Sequence, residues 1–147
     1  MKILITGESG FLGSHLSKQL IWKKEGEHQV VCWSRGYPNR DPAGKEQIVN
    51  FHTSYPFRDL LKDFHPDVIY HCAANPSTAA TPQDILSSNI DLTLDLLNSI
   101  DQPRAPRFIF ISSIVAGMQQ PSVYAASKIM GEALVMRYSS EGKIKGL

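Results

Sequence analysis

Cysteine is scarce: the 147-residue chain has two, Cys32 and Cys72. Each lies inside an apolar run, which argues against a disulfide framework and fits two small core residues in a reducing cytosol. Long apolar runs are missing as well. No stretch approaches the ~18 residues of a membrane span, and the opening Ile3-Leu4-Ile5 is far too short for a signal peptide. Neither sign of charge dominates: 15 Lys+Arg face 14 Asp+Glu, a net +1. That removes the electrostatic case for nucleic acid or an acidic membrane surface as partner. A hydrophobic content of 42% is also too high for wholesale disorder. A cytoplasmic protein is expected, with one core and no separate second domain, since the length suits a single domain.

What is present is an alternation of short β-rich runs and longer helical patterns. Strands are predicted over Lys2–Thr6, Gln29–Ser34, Gln47–Phe51, Asp67–Cys72 and Arg107–Ser112. Helices are predicted over Phe11–Trp22, Tyr55–Phe64, Thr81–Ile100 and Pro121–Ser140. Lys23, Lys24 and Glu25 read as a solvated helix end stopped by Gly26. Gly36, Pro38, Pro42 and Gly44 mark a loop. Thr81 followed by Pro82 reads as an N-cap with proline at the first helical position. Lys143–Leu147 reads as the approach to a further strand that never arrives. Strands apolar on both faces and separated by helices imply a parallel sheet covered on both sides. The simplest layout is an α/β doubly wound, Rossmann-type sheet of about five strands in the order 3-2-1-4-5. Its ligand site falls where the order reverses, at the carboxyl ends of strands one and four.

Thr6-Gly7-Glu8-Ser9-Gly10-Phe11-Leu12-Gly13 places three glycines between the first strand and the first helix. Gly7 allows a tight turn, Gly10 lets the backbone approach a pyrophosphate, and Gly13 permits close helix–strand packing. Free N–H groups at the helix start then face the phosphates. Ser9, Phe11 and Leu12 belong to the same cradle. The pattern Thr-Gly-x-x-Gly-Phe-x-Gly resembles the short-chain dehydrogenase/reductase superfamily, above all its extended branch of NAD(P)-dependent sugar-nucleotide epimerases and dehydratases. The chain from residue 1 to 147 then reads as the dinucleotide-binding portion of such an enzyme.

An acidic residue about 20 positions past the glycines is the usual partner of the adenosine ribose hydroxyls in NAD-specific folds. Here Ser34 stands at that place and Arg35 follows. A hydroxyl and a guanidinium suit a 2′-phosphate, so NADP is favoured, with NAD as the alternative. His71-Cys72-Ala73-Ala74 resembles the family's His-x-Ala-Ala segment, whose small Ala73 and Ala74 let the backbone touch the cofactor. His71 itself reads as a packed strand residue with a hydrogen-bonded ring. Asn89 resembles the family asparagine that supports cofactor and active-site geometry. The family aspartate after strand three is replaced by the run Asn50-Phe51-His52-Thr53.

Tyr124 and Lys128 stand one turn apart on one helical face, where an ammonium favours the phenolate and makes it usable as an acid/base. The resemblance implies that Tyr124 is the general acid/base and that Lys128 binds the nicotinamide ribose. It also implies a serine donor to the reacting oxygen. Ser112 and Ser113 both qualify, and the family pattern selects Ser113. Only Ile114–Val123 separates Ser113 from Tyr124, a shorter loop than sugar-nucleotide enzymes usually have. Val115-Ala116-Gly117 stands where Val-Tyr-Gly is common. The implied function is an epimerase, dehydratase or reductase acting by hydride transfer on a nucleotide sugar or a related carbonyl or hydroxyl substrate. The alternative is a cofactor-binding module or NADP sensor without catalysis. No metal is expected; a homodimer through the later helices is.

Overall fold

Period-two alternation along the first strand, β1 (Lys2–Thr6), divides the protein into two packed layers. Leu4 points to one face of the sheet, and Ile3 and Ile5 point to the other. A computed structural model describes residues 1–22, 28–34, 48–52, 55–118 and 122–146. Among these, β2 (Gln29–Ser34), β3 (Ile48–His52), β4 (Val68–His71), β5 (Arg107–Phe110) and β6 (Lys145–Gly146) join β1 in one sheet. Every pairing is parallel and the order is β3-β2-β1-β4-β5-β6.

The expected order 3-2-1-4-5 is found, with one correction at its edge: the further strand does arrive. Lys145 N–H donates to the Pro106 carbonyl at 2.8 Å, and Lys145 and Gly146 pair with Arg107 and Phe108. Ile144, fully buried just before them, brings the chain to the open edge of β5. Unpaired backbone groups along that edge accept even a two-residue strand.

Helix α1 (Phe11–Trp22) covers Ile3, Ile5, Val30 and Cys32 with Leu16 and Leu20. On the opposite face, α2 (Phe57–Phe64), α4 (Leu92–Asn98) and α5 (Val123–Ser140) close over Leu4, Val31, Ile69 and Phe108. Leu96, Leu97 and Val135 are the buried anchors of α4 and α5. A short α3 (Pro82–Leu86), packed against α5, begins as predicted: Thr81 caps it and exchanges hydrogen bonds with Asp84 in a capping box.

The single helix expected over Thr81–Ile100 is interrupted. Ser87–Asp91 forms a π-turn, in which Leu92 N–H reaches back to the Ser87 carbonyl, and α4 ends at Asn98. Other boundaries move by one or two residues. β3 starts at Ile48, α2 at Phe57 with Pro56 as its N-cap, and α5 at Val123 with Ser122 as its N-cap. β4 stops at His71 and β5 at Phe110, earlier than the expected Cys72 and Ser112. Their continuations, Cys72-Ala73 and Ile111–Ser113, leave the sheet at its carboxyl edge. Arg35, the glycine/proline loop over 35–47, Thr53 and the Lys23–Gly26 helix stop lie outside the described residues.

Candidate active site at the carboxyl edge of the sheet

The glycine turn connects β1 to α1 by backbone-to-backbone contact. Gly7 has φ +73°, and a Cβ there would lie 2.6 Å from Ala73 N. A Cβ on Gly13 would lie 2.3 Å from the Gly7 carbonyl oxygen, so α1 starts directly against the turn. Gly7 N–H donates to the Trp33 carbonyl at 2.9 Å and Gly10 N–H to the Gly7 carbonyl at 3.0 Å, tying the turn to β2 and to itself. Glu8 is buried behind it, accepting from Ser17 Oγ at 3.5 Å. Phe11 and Leu12 stand exposed at the helix start, with the Phe11 ring 4.5 Å from that of His15.

A cleft of about 560 Å3 opens where the sheet order reverses. Gly7, Ser9 and Gly10 form one wall, Trp33 and Ser34 another, and Cys72, Ala73 and Ala74 the floor. Ser87, Ser88, Leu92 and Asp95 close it from the π-turn and α4. Six of the sequence-predicted cofactor residues therefore meet in one cavity: Gly7, Ser9, Gly10, Ser34, Ala73 and Ala74. Trp33, Ser87, Ser88, Leu92 and Asp95 were not foreseen as lining. Their only sequence signal is position, at a strand end or within two helical turns of Asn89. A dinucleotide fits this donor set, because the turn is bare of side chains where a Cβ would strike backbone and the floor is three small residues. A recess of about 650 Å3 lies at the opposite, amino edge of β4 and β5, between Pro66, Gln102 and Arg104, away from all of these residues.

Beside the cleft, the π-turn aims Asn89 inward, where it is 4% exposed rather than a surface amide. Its Oδ1 accepts from Asn75 N–H at 2.6 Å, and its Nδ2 donates to Ser127 Oγ at 2.9 Å. Ser127 Oγ in turn donates to the Tyr124 carbonyl at 2.7 Å. The asparagine thus holds the first turn of α5 against the loop after β4. Ser127 gave no sequence signal beyond its place between Tyr124 and Lys128.

Lys128 is 3% exposed, and its Nζ donates to the Ile111 carbonyl at 2.8 Å, at the end of β5. It lies 4.9 Å from the centre of the Phe110 ring and 5.7 Å from that of Tyr124. Burial lowers its pKa, opposed by the neighbouring Cys72. The adjacent serines differ. Ser112 Oγ donates to the Glu132 carboxylate on α5, whereas Ser113 Oγ accepts Val115 N–H at 3.5 Å and caps the 3-10 turn Ile114–Gly117. Ser113 accepts, so its hydroxyl hydrogen can donate elsewhere. Ser112 is committed to Glu132.

His71 is a packed, fully buried strand residue with both ring nitrogens hydrogen-bonded, as predicted. Burial, reinforced by the Lys128 charge, lowers its pKa to about 3. Burial likewise raises the Cys72 thiol to about 11 and that of Cys32 to about 12. Both cysteines are free. Among the described residues no helix is long and apolar enough to cross a membrane.

Comparison with known proteins agrees with this architecture. The UDP-glucuronic acid 4-epimerase of Bacillus cereus, solved with UDP-glucuronic acid and NAD, superposes with a TM-score of 0.84 and 28% identity. The match covers 100% of this chain and 55% of that one. D-erythronate dehydrogenase of Haemophilus influenzae is 29% identical over 168 residues, 100% of this chain and 53% of the relative. A UDP-glucose 4-epimerase of Klebsiella pneumoniae is 28% identical over 137 residues, 84% of this chain and 96% of the relative. The chain spans between 26% and 53% of the length of three other matches that include the dehydrogenase. Residues 3–147 match one family throughout, and the chain belongs to it: the NAD-dependent epimerase/dehydratase family.

Proposed function

We propose that the chain binds a nicotinamide dinucleotide, NADP in preference to NAD, and contributes Ser113, Tyr124 and Lys128 to hydride transfer on a nucleotide sugar. The observation that carries this reading is the setting of Lys128. Its ammonium is buried at the end of β5 with the Ile111 carbonyl as hydrogen-bond acceptor and two aromatic rings alongside. Two of its N–H bonds are left to reach ribose hydroxyls. The Tyr124 phenol, one turn earlier on α5, would exchange a proton with the substrate hydroxyl or carbonyl. The Ser113 hydroxyl would donate to the same oxygen as its charge develops. The bound nicotinamide would supply the hydride acceptor or donor. Ser9, Gly10, Ala73 and Ala74 would hold the pyrophosphate and adenosine side, and Phe11, Leu12 and Gly13 the helix start behind it. Ser34 and Arg35, where a carboxylate would repel a 2′-phosphate, support the preference for NADP.

The nucleotide-sugar reading rests on the solved relative that carries UDP-glucuronic acid. A second reading, a cofactor-binding module without turnover, is supported by the cleft itself, whose lining includes Gly7, Ser9, Gly10, Ser34, Ala73 and Ala74 but none of Ser113, Tyr124 and Lys128. Ile129, Met130 and Met136 are exposed on α5 and support a homodimer through that helix. Cys32 and Cys72, both free thiols, are consistent with a cytoplasmic setting.

The test is direct. Trp33 lines the cleft, so NADPH and NADH titrations are read from quenching of protein emission. Tighter NADH binding removes the NADP preference. Turnover on a panel of keto-sugar nucleotides that disappears in Tyr124→Phe supports the enzyme. Tight NADPH binding with no turnover of any substrate supports the module.

A further inference from the structure

The cofactor cleft and the catalytic helix are joined by an unbroken line of buried hydrogen bonds with His71 at its centre. Thr6 Oγ1 lies 2.7 Å from His71 Nδ1, and Thr93 Oγ1 lies 2.8 Å from His71 Nε2. The outer bonds fix which way the inner ones run. Thr93 Oγ1 donates its single hydrogen to the Asn89 carbonyl at 2.5 Å, since two oxygens that close would otherwise repel. Thr93 must then accept from His71, so the ring carries its hydrogen on Nε2. Nδ1 is left as an acceptor and takes the Thr6 hydroxyl hydrogen. Thr6 Oγ1 in turn accepts Ala73 N–H at 3.3 Å. From Asn89 the line continues through its side chain to Ser127 and the Tyr124 carbonyl.

We propose that His71 is a positioning residue, a neutral imidazole protonated on Nε2 that fixes the register between the Ala73 floor of the cofactor cleft and the π-turn bearing Asn89. The proposal rests on the functional reading above for the meaning of that register, but the hydrogen-bond line stands apart from it. Five side chains carry the line, Thr6, His71, Thr93, Asn89 and Ser127, and each is at most 4% exposed. Water cannot replace a lost link, and a broken one leaves a buried donor or acceptor bare. The burial that lowers the ring's pKa keeps it neutral across the working range. Lys128, the charged group acting on it, pushes in the same direction. The rings of Phe108 and Phe110, each 5.9 Å away, complete an apolar wall.

The experiment uses the full chain labelled with 15N. Imidazole spectra should show His71 protonated on Nε2, bare on Nδ1 and unchanged between about pH 8 and pH 5. A hydrogen on Nδ1, or titration close to that of a free histidine, overturns the proposal. Thr93→Val removes the central acceptor, and Thr93→Ser keeps it. The valine variant should shift both the Ala73 backbone amide and the Asn89 side-chain amide, while the serine variant leaves them in place. It should also weaken NADPH binding by about fivefold or more, against less than about twofold for serine. An Ala73 amide unmoved by valine overturns the coupling, as does unaltered NADPH affinity in the valine variant when the wild-type chain binds NADPH. If the wild type binds neither NADPH nor NADH, the functional reading fails, and the tautomer and amide shifts still decide the role of His71. Should Thr93→Val not fold, Thr6→Val asks the same question from the other end of the line, read at Asn89.

Discussion

Gly13→Ala tests whether the approach of α1 to the glycine turn is what makes the cofactor cleft. The added methyl would sit 2.3 Å from the Gly7 carbonyl oxygen and 2.9 Å from Glu8 Cα. The first contact is about 1 Å inside ordinary packing distance, and both partners are backbone, which cannot rotate away. Overpacking of this kind costs ~1–3 kcal/mol. Alanine in place of glycine inside a helix returns up to ~1 kcal/mol. The fold should therefore survive, destabilised by roughly 0–3 kcal/mol, a range that follows from those two effects. Binding should suffer along with stability. Relief requires α1 to slide or the turn to open, and either displaces the Ser9–Gly10 edge that faces the cleft. A dinucleotide affinity at least ~10-fold weaker, ~1.4 kcal/mol, is expected. Gly117→Ala is the control, because a Cβ there meets nothing within 4 Å. It should change stability by less than ~0.5 kcal/mol and leave binding alone. Urea unfolding supplies the first quantity and emission quenching by NADPH the second. A Gly13→Ala chain that binds as tightly as wild type would falsify the claim that this close approach shapes the site.

Buried His71 predicts a pH dependence of stability. Its pKa is about 3 in the folded chain against 6.5 when free, so below about pH 6.5 the unfolded state takes up a proton that the native state refuses. The contribution is fully present above pH 6.5 and is lost as pH falls toward 3, at up to ~1.4 kcal/mol per unit. His71→Gln should flatten that slope in urea titrations at successive pH values; an unchanged slope rejects it. Native Cys32 and Cys72 should alkylate far more slowly than free thiol at neutral pH, given folded pKa values of about 12 and about 11. NADPH should slow Cys72 further, because it lines the cleft, and equal rates with and without NADPH would place the cofactor elsewhere. Leu96→Ala, at a fully buried position shared by α4 and the sheet, should cost ~2–5 kcal/mol in urea unfolding, and a loss below ~1 kcal/mol would deny it a central place in the core.

The sheet was legible because its signal is local and repeated. Ile3, Leu4 and Ile5 announce a strand buried on both faces, and the same pattern recurs at Val30–Cys32 and at Phe108–Phe110. Strand order followed from the doubly wound fold class and its right-handed crossovers, and neither needs side-chain detail. The misreadings lie where tertiary contacts decide. Lys145 and Gly146 carry little strand propensity, and they pair because Ile144 is buried and β5 offers an open edge. Thr81–Ile100 carries an unbroken apolar helical pattern. The π-turn inside it inserts one residue without changing composition, so periodicity could not mark it.

The site divides along the same line. Residues whose placement depends on being small or on a fixed offset were readable: Gly7 and Gly13, Ala73 and Ala74, and the Tyr124–Lys128 turn. Residues whose role depends on a partner far away in sequence were not. Thr6 and Thr93 are ordinary strand and helix threonines until His71 falls between them, 65 and 22 positions away respectively. The choice between Ser112 and Ser113 has the same character. Adjacent hydroxyls look alike in a sequence, yet on leaving β5 one turns toward Glu132 and the other caps the next turn. Glu132 stands one helical turn beyond Lys128, so α5 grips the end of β5 with both side chains: Lys128 on the Ile111 carbonyl and Glu132 on the Ser112 hydroxyl. Ser113 is the first residue beyond that grip. A donor to the reacting oxygen placed there is held by its neighbours while its own hydrogen stays uncommitted, which is the condition a preorganised donor must meet.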